Sequence, residues 1–588
     1  MKTEWSLDIL YKGFDDPKFK TDMENVDKMI AEINEFAKAL GTLDAKTTVL
    51  EYIRMSEESD LKIADLFRFA SLRSSANARD GEASSVMGRL MGKLSGIAKA
   101  ETAIQKYIAN IENLDELIES DPILKEYEYM LKNTREDQKH RLSEECEQIM
   151  ALYSISGSRA WGDLQGYLTS SVSADYRGEK INLSSIRNLA YDPDPAVRKD
   201  AYEAELACYD KIKDSVAFSI NSIKLEVINA ARLRGFASPL EQNLFSAHMK
   251  RETLDALLSS MNDHFDIFRR YLKIKAKALG HKNGLPWYDL FAPMGGIDQK
   301  YTVEEAKTYL LGIFKTFDKD LHDMVERAFD EAWIDFYPRD GKRGGAFCAG
   351  LGAHRQSRIL TNFDGSFSDI VTLAHELGHA YHNLNIQDHR PLNNNYSMPV
   401  AETASTFNEN VIMNAAISSA ASDEEKLALI ESQLMDVTQI ICDIYSRYLF
   451  ETSVFENREQ EFMQADRLCE LMLDAQKKAY GDGLDHDALH PYMWLCKSHY
   501  YSTRSFYNYP YAFGGMFARG LYAKYAEEGD AFVPTYRKLL YNTTIASVED
   551  AAMVAGIDLT KKDFWDKSLE SYKENVDEFE RLVNKLYK

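Results

Sequence analysis

Residues 367–384 read FSDIVTLAHELGHAYHNL, and this stretch carries the strongest structural signal in the chain. Its apolar residues surround the helical axis almost completely, which is typical of a helix buried inside a protein. His375 and His379 are one helical turn apart, so both imidazoles face one side, and Glu376 projects beside them. Burying these three side chains without a partner is costly, and a bound metal ion removes that cost. The stretch therefore predicts a buried metal-binding helix.

A third protein ligand is needed to complete a catalytic zinc site with one open position. Five of the 13 histidines fall within 354–389, but three turns of one straight helix cannot easily surround an ion, which argues against His382. The segment YSMPVAETASTFNEN at 396–410 predicts a second helix that carries Glu402 and, on the same face, Glu409. We predict Glu402 as the third ligand and Glu409 as a carboxylate that orients a histidine.

The predicted set of two histidines and one glutamate indicates hydrolytic zinc chemistry, with one Zn²⁺ per chain. A zinc ion held in this way acidifies water and polarises a carbonyl group. Glu376 is expected to take a proton from the attacking water and to pass it to the leaving amine. The expected reaction is hydrolysis of an amide bond without a covalent acyl intermediate.

The composition of the chain limits the classes of partner. Its 588 residues include 93 acidic and 70 basic side chains, which gives a net charge of −23. This charge argues against nucleic acids and anionic membranes and permits a preference for cationic peptides. Acidic residues near the N terminus and the lack of a long apolar run predict a cytoplasmic protein. The six cysteines form no CxxC pair, so we expect buried free thiols.

The pattern along the chain predicts a mainly helical protein with two lobes, because 588 residues exceed what one core usually supports. Apolar residues recur at helical spacing within 23–40, and similar patterns follow. Asp194 can cap a helix that begins at Pro195. We therefore predict an N-terminal helical lobe at 1–195 and a catalytic lobe at 196–588.

Short β-structure is predicted at two places. Residues 168–184 alternate polar and apolar side chains around Gly178, which indicates a small hairpin. Turn residues within 338–366 flank strand-like runs at 346–348 and 359–361. The second place predicts a small sheet shortly before the metal-binding helix.

Several stretches of the sequence resemble one known family. HELGHAYHNL, followed by MPVAETASTFNE, is similar to the thimet oligopeptidase superfamily of zinc metallopeptidases, and specifically to its oligoendopeptidase F branch. Other stretches look like further signatures of that branch: ALYSISGSRAWGDL at 151–164, KRGGAFC at 342–348, ILTNFDGS at 359–366 and FYNYPYAFG at 506–514. The resemblance covers most of the chain from about residue 110 onward.

The resemblance implies roles for the residues of the predicted metal site. The two zinc histidines of the family fall on His375 and His379, its catalytic glutamate on Glu376 and its ligand glutamate on Glu402. Glu409 matches a family glutamate placed seven residues further on.

The resemblance also implies that a flexible segment rich in glycine and tyrosine holds the oxyanion and the substrate backbone. The matching residues are His499, Tyr507, Tyr509 and Tyr511. A phenol near the carbonyl oxygen stabilises charge that develops only in the transition state. Which tyrosine donates stays open, because Arg504 stands where an ungapped alignment places a tyrosine.

For the fold, the resemblance implies a two-lobed helical body with a thermolysin-like catalytic core and a deep central channel. The small sheet would lie beside the zinc helix, and its edge strand would bind an extended peptide at Gly345, Ala346 and Phe347. Glycines before Ala346 would let the peptide backbone approach closely. Such a channel would admit short, unstructured peptides.

We therefore predict a zinc-dependent endopeptidase that hydrolyses short oligopeptides. An exopeptidase with the same mechanism is the alternative among enzymes. A non-catalytic peptide-binding scaffold that retains a structural metal is the alternative from another class, although such a site does not need Glu376. We expect no nucleic-acid or membrane partner, and the sequence does not define the oligomeric state.

Overall fold

The computed structural model describes residues 2–296 and 299–587, and the protein is mainly α-helical, as predicted, with 71% of the chain in helices. The helices are α1 (Pro17–Lys38), α2 (Ala45–Ala76), α3 (Gly81–Leu94), α4 (Ala98–Ala109), α5 (Leu114–Glu119), α6 (Pro122–Glu126), α7 (Glu128–Gln138), α8 (Glu144–Ser154), α9 (Ala160–Ser171), α10 (Leu183–Asn188), α11 (Pro195–Asp210), α12 (Lys213–Leu233), α13 (Pro239–Ser246), α14 (Arg251–Ala278), α15 (Val303–Phe317), α16 (Lys319–Asp330), α17 (Phe367–Ile386), α18 (Thr403–Ser419), α19 (Asp423–Thr438), α20 (Ile444–Arg458), α21 (Ala465–Tyr480), α22 (Met493–Cys496), α23 (Tyr509–Glu528), α24 (Val533–Asn542), α25 (Val548–Met553), α26 (Lys562–Glu570) and α27 (Lys573–Leu586). The strands are β1 (Ser173–Tyr176), β2 (Glu179–Asn182), β3 (Ile334–Asp335), β4 (Phe347–Leu351) and β5 (Gln356–Leu360).

The chain packs into two compact units, and each unit combines three chain segments. Unit 1 consists of Met1–Arg141, Gln299–Ile412 and Tyr525–Gly556, and unit 2 of Leu142–Asp298, Met413–Lys524 and Ile557–Lys588. Residue 195 lies inside unit 2, where the neighbouring helices α10 and α11 pack against each other. These units describe packing alone, so the division into functional lobes at 1–195 and 196–588 stays a prediction.

Two local predictions are confirmed within unit 2. β1 and β2 form an antiparallel hairpin, and its turn residues Arg177 and Gly178 have φ angles of 50° and 88°. Two left-handed residues are typical of a tight hairpin turn. Pro195 is the first residue of α11, and the carboxylate of Asp194 accepts the amide hydrogen of Ala196.

The sheet of unit 1 has three strands in the order β3, β5, β4. β5 runs antiparallel to β4 and parallel to β3, and both β4 and β5 pack against α17. The strands predicted at 346–348 and 359–361 are confirmed as β4 and β5 with shifted bounds. Among the strands that the structure describes, β4 stands at the end of this order and pairs with β5 alone.

Helix α17 begins at a capping box and is buried along most of its length. The Ser366 hydroxyl accepts the amide hydrogen of Asp369, and the Asp369 carboxylate accepts the amide hydrogen of Ser366. Such caps typically contribute about 1 kcal/mol. Eleven of its residues are buried, including Leu373, Ala374 and Leu377. The predicted central, apolar helix is therefore confirmed.

All six cysteines are free thiols, but they are not all buried. Cys208 and Cys442 are buried, whereas Cys146 is exposed. The prediction of buried thiols is therefore wrong for Cys146, which lies on the outer side of α8. Among the residues that the structure describes, no helix combines the length and apolarity needed to cross a membrane.

Candidate metal centre

Three predicted ligands meet in unit 1. His375 and His379 project from α17, and Glu402 lies immediately before α18. The Nε2 atom of each histidine is 3.3 Å from Oε2 of Glu402. The three ligand atoms lie within 4.8 Å of one another, and within residues 2–296 and 299–587 this is the one such group of three side chains. The group could hold a metal ion.

The approach of α18 to α17 depends on Gly378, which lies between the two histidines. A Cβ atom at this position would be 2.4 Å from the Ala404 carbonyl oxygen and 2.5 Å from the Ser405 Cα atom. Both atoms belong to the backbone, so they could not move aside without shifting α18. Glycine at position 378 therefore lets Glu402 reach the histidines. The sequence alone showed Gly378 only as one more small residue of an apolar helix.

Glu409 contacts the first histidine from the side opposite Glu402. Its Oε1 atom is 2.6 Å from Nδ1 of His375. Burial lowers the pKa of His375, but the hydrogen bond and charge of Glu409 outweigh burial and raise that pKa to about 9. Because Glu409 binds the proton on Nδ1, Nε2 is the nitrogen of His375 that is available to bind a metal ion.

Glu402 is held as a charged carboxylate. Burial raises its pKa, but the hydrogen bond and charge of His379 outweigh burial and lower that pKa to about 2. The Ser405 hydroxyl donates a hydrogen bond of 2.7 Å to Oε2. A carboxylate that stays ionised at neutral pH is suited to bind a cation.

Glu376 is buried beside the ligand group. Burial raises its pKa, and the nearby charges of His375 and His379 partly oppose this effect. Its Oε2 atom is buried and has no hydrogen-bond partner among the described residues. A carboxyl group with a raised pKa can accept a proton and release it again, as a general base and acid must.

A cavity of about 510 Å³, called the site cavity below, surrounds these side chains. Ala346 and Phe347 of the predicted substrate strand line it, whereas Gly345 lies just before β4 with a φ of 79° and accepts a hydrogen bond from Asn362. Cys348 of the predicted strand lines it too. The sequence did not indicate several other residues that line it: Arg68, Gly350, Asn383, Asn394, Asn395 and Tyr396. The run of three asparagines at 393–395 was a visible polar signal between the two ligand segments.

Comparison with known proteins identifies the family. A model described as peptidase family M3 matches residues 188–571, and one described as oligopeptidase F matches residues 109–173. The chain belongs to peptidase family M3. This M3 peptidase is therefore a metallopeptidase, and the matched region contains His375, Glu376, His379 and Glu402.

Relatives of this M3 peptidase span nearly its full length. The chromosomal oligoendopeptidase F of Lactococcus lactis subsp. cremoris is 23% identical, covering 99% of this chain and 97% of the relative. Oligopeptidase PepF of Bacillus subtilis is 24% identical, covering 99% of this chain and 87% of the relative. The crystal structure of oligoendopeptidase-F from Enterococcus faecium has a TM-score of 0.70 at 18% identity, covering 96% of this chain and 100% of that one. The structural likeness shows a shared fold.

The other clustered histidines of this M3 peptidase have structural partners. His382 is buried, its Nε2 atom is 2.8 Å from the Thr543 hydroxyl, and its ring stacks on Tyr396 at 4.1 Å between centroids. Burial lowers the pKa of His382 to about 3. His354 and His389 pair with Asp65 and Glu126, respectively. Only two of the five clustered histidines therefore belong to the candidate metal centre. His382 is not among them, which agrees with the argument from helix geometry against it as a ligand.

The aromatic residues predicted for catalysis lie in unit 2. The ring centroid of His499 is 5.2 Å from that of Tyr507 and 6.1 Å from that of Tyr511, and the two tyrosine rings are 5.8 Å apart. Tyr509 differs from these three because it is buried and donates a hydrogen bond of 2.6 Å to Oδ1 of Asn243. The structure therefore brings His499, Tyr507 and Tyr511 together and places Tyr509 in a separate hydrogen bond.

His499 is held in its neutral form. Burial lowers its pKa, and the positive charges of Arg447 and Lys497 lower it further. Its Nδ1 atom is buried without a hydrogen-bond partner among the described residues. A neutral imidazole has one donor and one acceptor nitrogen, so it can bind a polar group without adding charge.

Proposed function

We propose that this M3 peptidase is a zinc-dependent endopeptidase that hydrolyses short, unstructured oligopeptides. The observation that carries the proposal is the convergence of His375, His379 and Glu402 beside the buried Glu376. The names of the relatives, oligoendopeptidase F and oligopeptidase PepF, support the same substrate class.

The donor set fits a zinc ion. Bonds of about 2.1 Å in a tetrahedral arrangement place two ligand atoms about 3.4 Å apart, and both histidine nitrogens are 3.3 Å from Oε2 of Glu402. Magnesium and calcium prefer all-oxygen sites, whereas two imidazoles and one carboxylate are typical of catalytic zinc. Zinc bound here would polarise the peptide carbonyl and acidify water.

Glu376 is proposed to move the proton of the reaction. It would accept a proton from the water whose oxygen bonds to the carbonyl carbon, and it would deliver that proton to the amine nitrogen as the C–N bond breaks. Its raised pKa and its unpartnered, buried Oε2 atom support this assignment. Glu409 would keep His375 oriented through the Nδ1 hydrogen bond.

The peptide is proposed to bind along the free edge of β4. Backbone hydrogen bonds to Gly345, Ala346 and Phe347 would hold it in an extended form. Ala346 and Phe347 line the site cavity, which supports this path. An extended backbone is available only in unstructured segments, so folded proteins would be poor substrates.

His499, Tyr507 and Tyr511 are proposed to bind the oxyanion and the substrate backbone. Their rings form one cluster, which supports a shared task. The Tyr509 hydroxyl donates its hydrogen to Asn243, so we leave Tyr509 out of this proposal. The cytoplasmic location and the preference for cationic peptides stay predictions.

A quenched fluorescent peptide of about ten residues with acetylated and amidated ends tests the proposal. The zinc-loaded protein should cleave it at an internal bond, a chelator should stop the cleavage, and added zinc should restore it. Cleavage only of peptides with a free end would support an exopeptidase instead. Tight binding without turnover would support the scaffold alternative.

Glu376→Gln tests the assigned proton carrier. We expect the variant to keep one zinc ion per chain and to lose roughly 10²- to 10⁴-fold in kcat, because the amide cannot accept the proton. Glu326 is an exposed glutamate of α16, and Glu326→Gln serves as a matched control that should retain activity. Normal hydrolysis by Glu376→Gln would remove this residue from the mechanism.

A further inference from the structure

A second cavity adjoins the site cavity within unit 1. Its volume is about 290 Å³, which is near the lower end of the range for ligand pockets. Four residues line both cavities: Arg68, Gly350, Asn383 and Asn394. A ligand group in the second cavity would therefore be within reach of a chain bound in the site cavity.

Arg68 belongs to α2, and packing fixes the position of that helix beside β4. Leu66 and Phe69 of α2 are buried in the same apolar cluster as Leu351 at the end of β4. Arg68 itself is partly buried. Its guanidinium group is thus held at the boundary between the two cavities by a rigid scaffold.

The guanidinium group of Arg68 has no partner in the described part of the chain. It forms neither a hydrogen bond nor an ion pair there, although it lies within electrostatic reach of Asp60 and Asp65. Asp65 is bound by Nε2 of His354 at 2.9 Å, and Asp60 is paired with the side chain of Asn394.

Burial lowers the pKa of Arg68, and the two aspartates oppose that shift. An arginine nevertheless stays charged in proteins. It presents five donors in a plane that matches a carboxylate, and leaving them desolvated and unpaired is costly. Both aspartates are hydrogen-bonded to other side chains, so the N–H donors of Arg68 lack an acceptor at this boundary.

We infer that Arg68 binds a carboxylate group of the peptide substrate. The carboxylate belongs either to a glutamate or aspartate side chain or to the C terminus of the peptide. The inference rests on the proposed function, because it takes the ligand of the site cavity to be a peptide. The inference adds a specificity-determining contact that selects a negatively charged group. The net charge of −23, in contrast, suggests a preference for cationic peptides.

The first test compares matched peptides in hydrolysis. Each pair carries Glu or Gln at one position, all positions are scanned, and one further pair has a free or an amidated C terminus. The wild-type enzyme should favour the carboxylate member of at least one pair by roughly 10- to 100-fold in kcat/KM. Ratios near one for every pair would overturn the inference.

Variants assign the preference to Arg68. Arg68→Met should reduce the ratio to near one by lowering kcat/KM for the carboxylate peptide more than for the neutral peptide. An unchanged circular dichroism spectrum and zinc content show that the variant folds. Arg68→Glu should favour a Lys peptide over its Gln counterpart. Arg355 also lines the second cavity but not the site cavity, and it is paired with Asp388 at 2.7 Å. Arg355→Met is the matched control and should keep the preference.

Two outcomes would contradict the role of Arg68. An unchanged ratio in Arg68→Met would place the carboxylate elsewhere, and an equal loss for all peptides would show a structural role only. If zinc-loaded wild type hydrolyses no peptide, the proposed function fails. In that case, calorimetric titration of the same Glu and Gln peptides into wild type and Arg68→Met tests the carboxylate site by binding alone. Equal Kd values of the Glu and Gln peptides for wild type would overturn that site.

Discussion

The metal centre and the aromatic cluster both carry predicted catalytic residues, but the chain holds them in different ways. His375 and His379 project from the buried, capped helix α17, and the backbone of α18 lies in direct contact with that helix at Gly378. His499, in contrast, lies in a short 3₁₀ turn, and Tyr507 follows Phe506, whose φ is 54°.

The difference shows which kind of site can be read from residue spacing. A regular helix fixes the direction of each side chain, so two histidines four residues apart must share a face. An irregular segment has no such rule, and its side chains take their positions from contacts with distant elements. Tyr507 lies in such a segment, just before α23 begins at Tyr509, and its ring meets that of His499 from an earlier 3₁₀ turn.

Gly378→Ala should have the largest effect, because it breaks the backbone contact that defines the metal centre. The new Cβ would meet the Ala404 carbonyl oxygen at 2.4 Å, which costs about 1–3 kcal/mol in stability and moves Glu402. A displacement of about 1 Å can cost roughly 10²-fold in rate. Zinc content and kcat/KM for the blocked peptide measure the loss.

The control for Gly378→Ala is the same substitution at Gly312 of α15, where a Cβ would have nothing within 4 Å. Gly312→Ala should leave activity intact and raise stability by up to about 1 kcal/mol, as alanine favours helices over glycine. Equal behaviour of the two variants would show that the close contact is not needed for the metal centre.

Phenylalanine substitutions test the aromatic cluster. If Tyr507 or Tyr511 donates to the oxyanion, its loss should lower kcat by roughly 10²-fold or more with little change in KM. Tyr509→Phe should instead reduce stability by about 1 kcal/mol, because Asn243 loses its hydrogen bond, and should change kcat little. Steady-state kinetics and thermal unfolding separate these effects. A dominant kcat loss in Tyr509→Phe would reverse the assignment.

Glu409→Gln should weaken the metal centre without dismantling it. The amide keeps the shape of the side chain but loses the charge that holds the Nδ1 proton of His375. Removal of such an orienting carboxylate typically costs about 10- to 100-fold in metal affinity or activity. Competition with a chelator measures the zinc affinity, with Glu326→Gln as reference. Wild-type affinity in Glu409→Gln would mean that the helices alone orient His375.

His382 should affect acid stability rather than catalysis. Its folded pKa of about 3 is below the usual value of 6.5, so the unfolded chain binds the proton first and stability falls as pH drops through this window. Between pH 6.5 and pH 4 this amounts to on the order of 3 kcal/mol. The thermal unfolding midpoint should therefore fall less between pH 7 and pH 4 for His382→Gln than for wild type, when both proteins are measured with chelator. Equal losses would contradict this.

Much of the metal centre could be predicted because its residues are close in sequence. The HELGH spacing and the following glutamates identify side chains that meet in the structure, and the hairpin at Gly178 and the helix start at Pro195 follow from local backbone preferences. The family resemblance added the residues of the second unit, which spacing alone could not connect.

The remainder of the site could not be predicted because tertiary packing brings it together. Arg68 is more than 300 residues from His375 in the sequence, and on α2 it reads as one more charge of an amphipathic helix. Tyr396 lies between two motifs, and only its stacking on His382 reveals its place at the cavity. The boundary predicted at residue 195 rests on turn residues that mark the start of α11, and it stays a prediction.

The three-segment construction of unit 1 has a consequence for biosynthesis. The helix that carries both histidines packs against α24, and that helix belongs to the last segment of the unit, Tyr525–Gly556. About 140 residues separate the end of α17 from that segment, and at about 5–20 residues per second a ribosome needs roughly 7 to 28 s to synthesise them. During this interval α17 exposes an apolar surface that only the later segment covers.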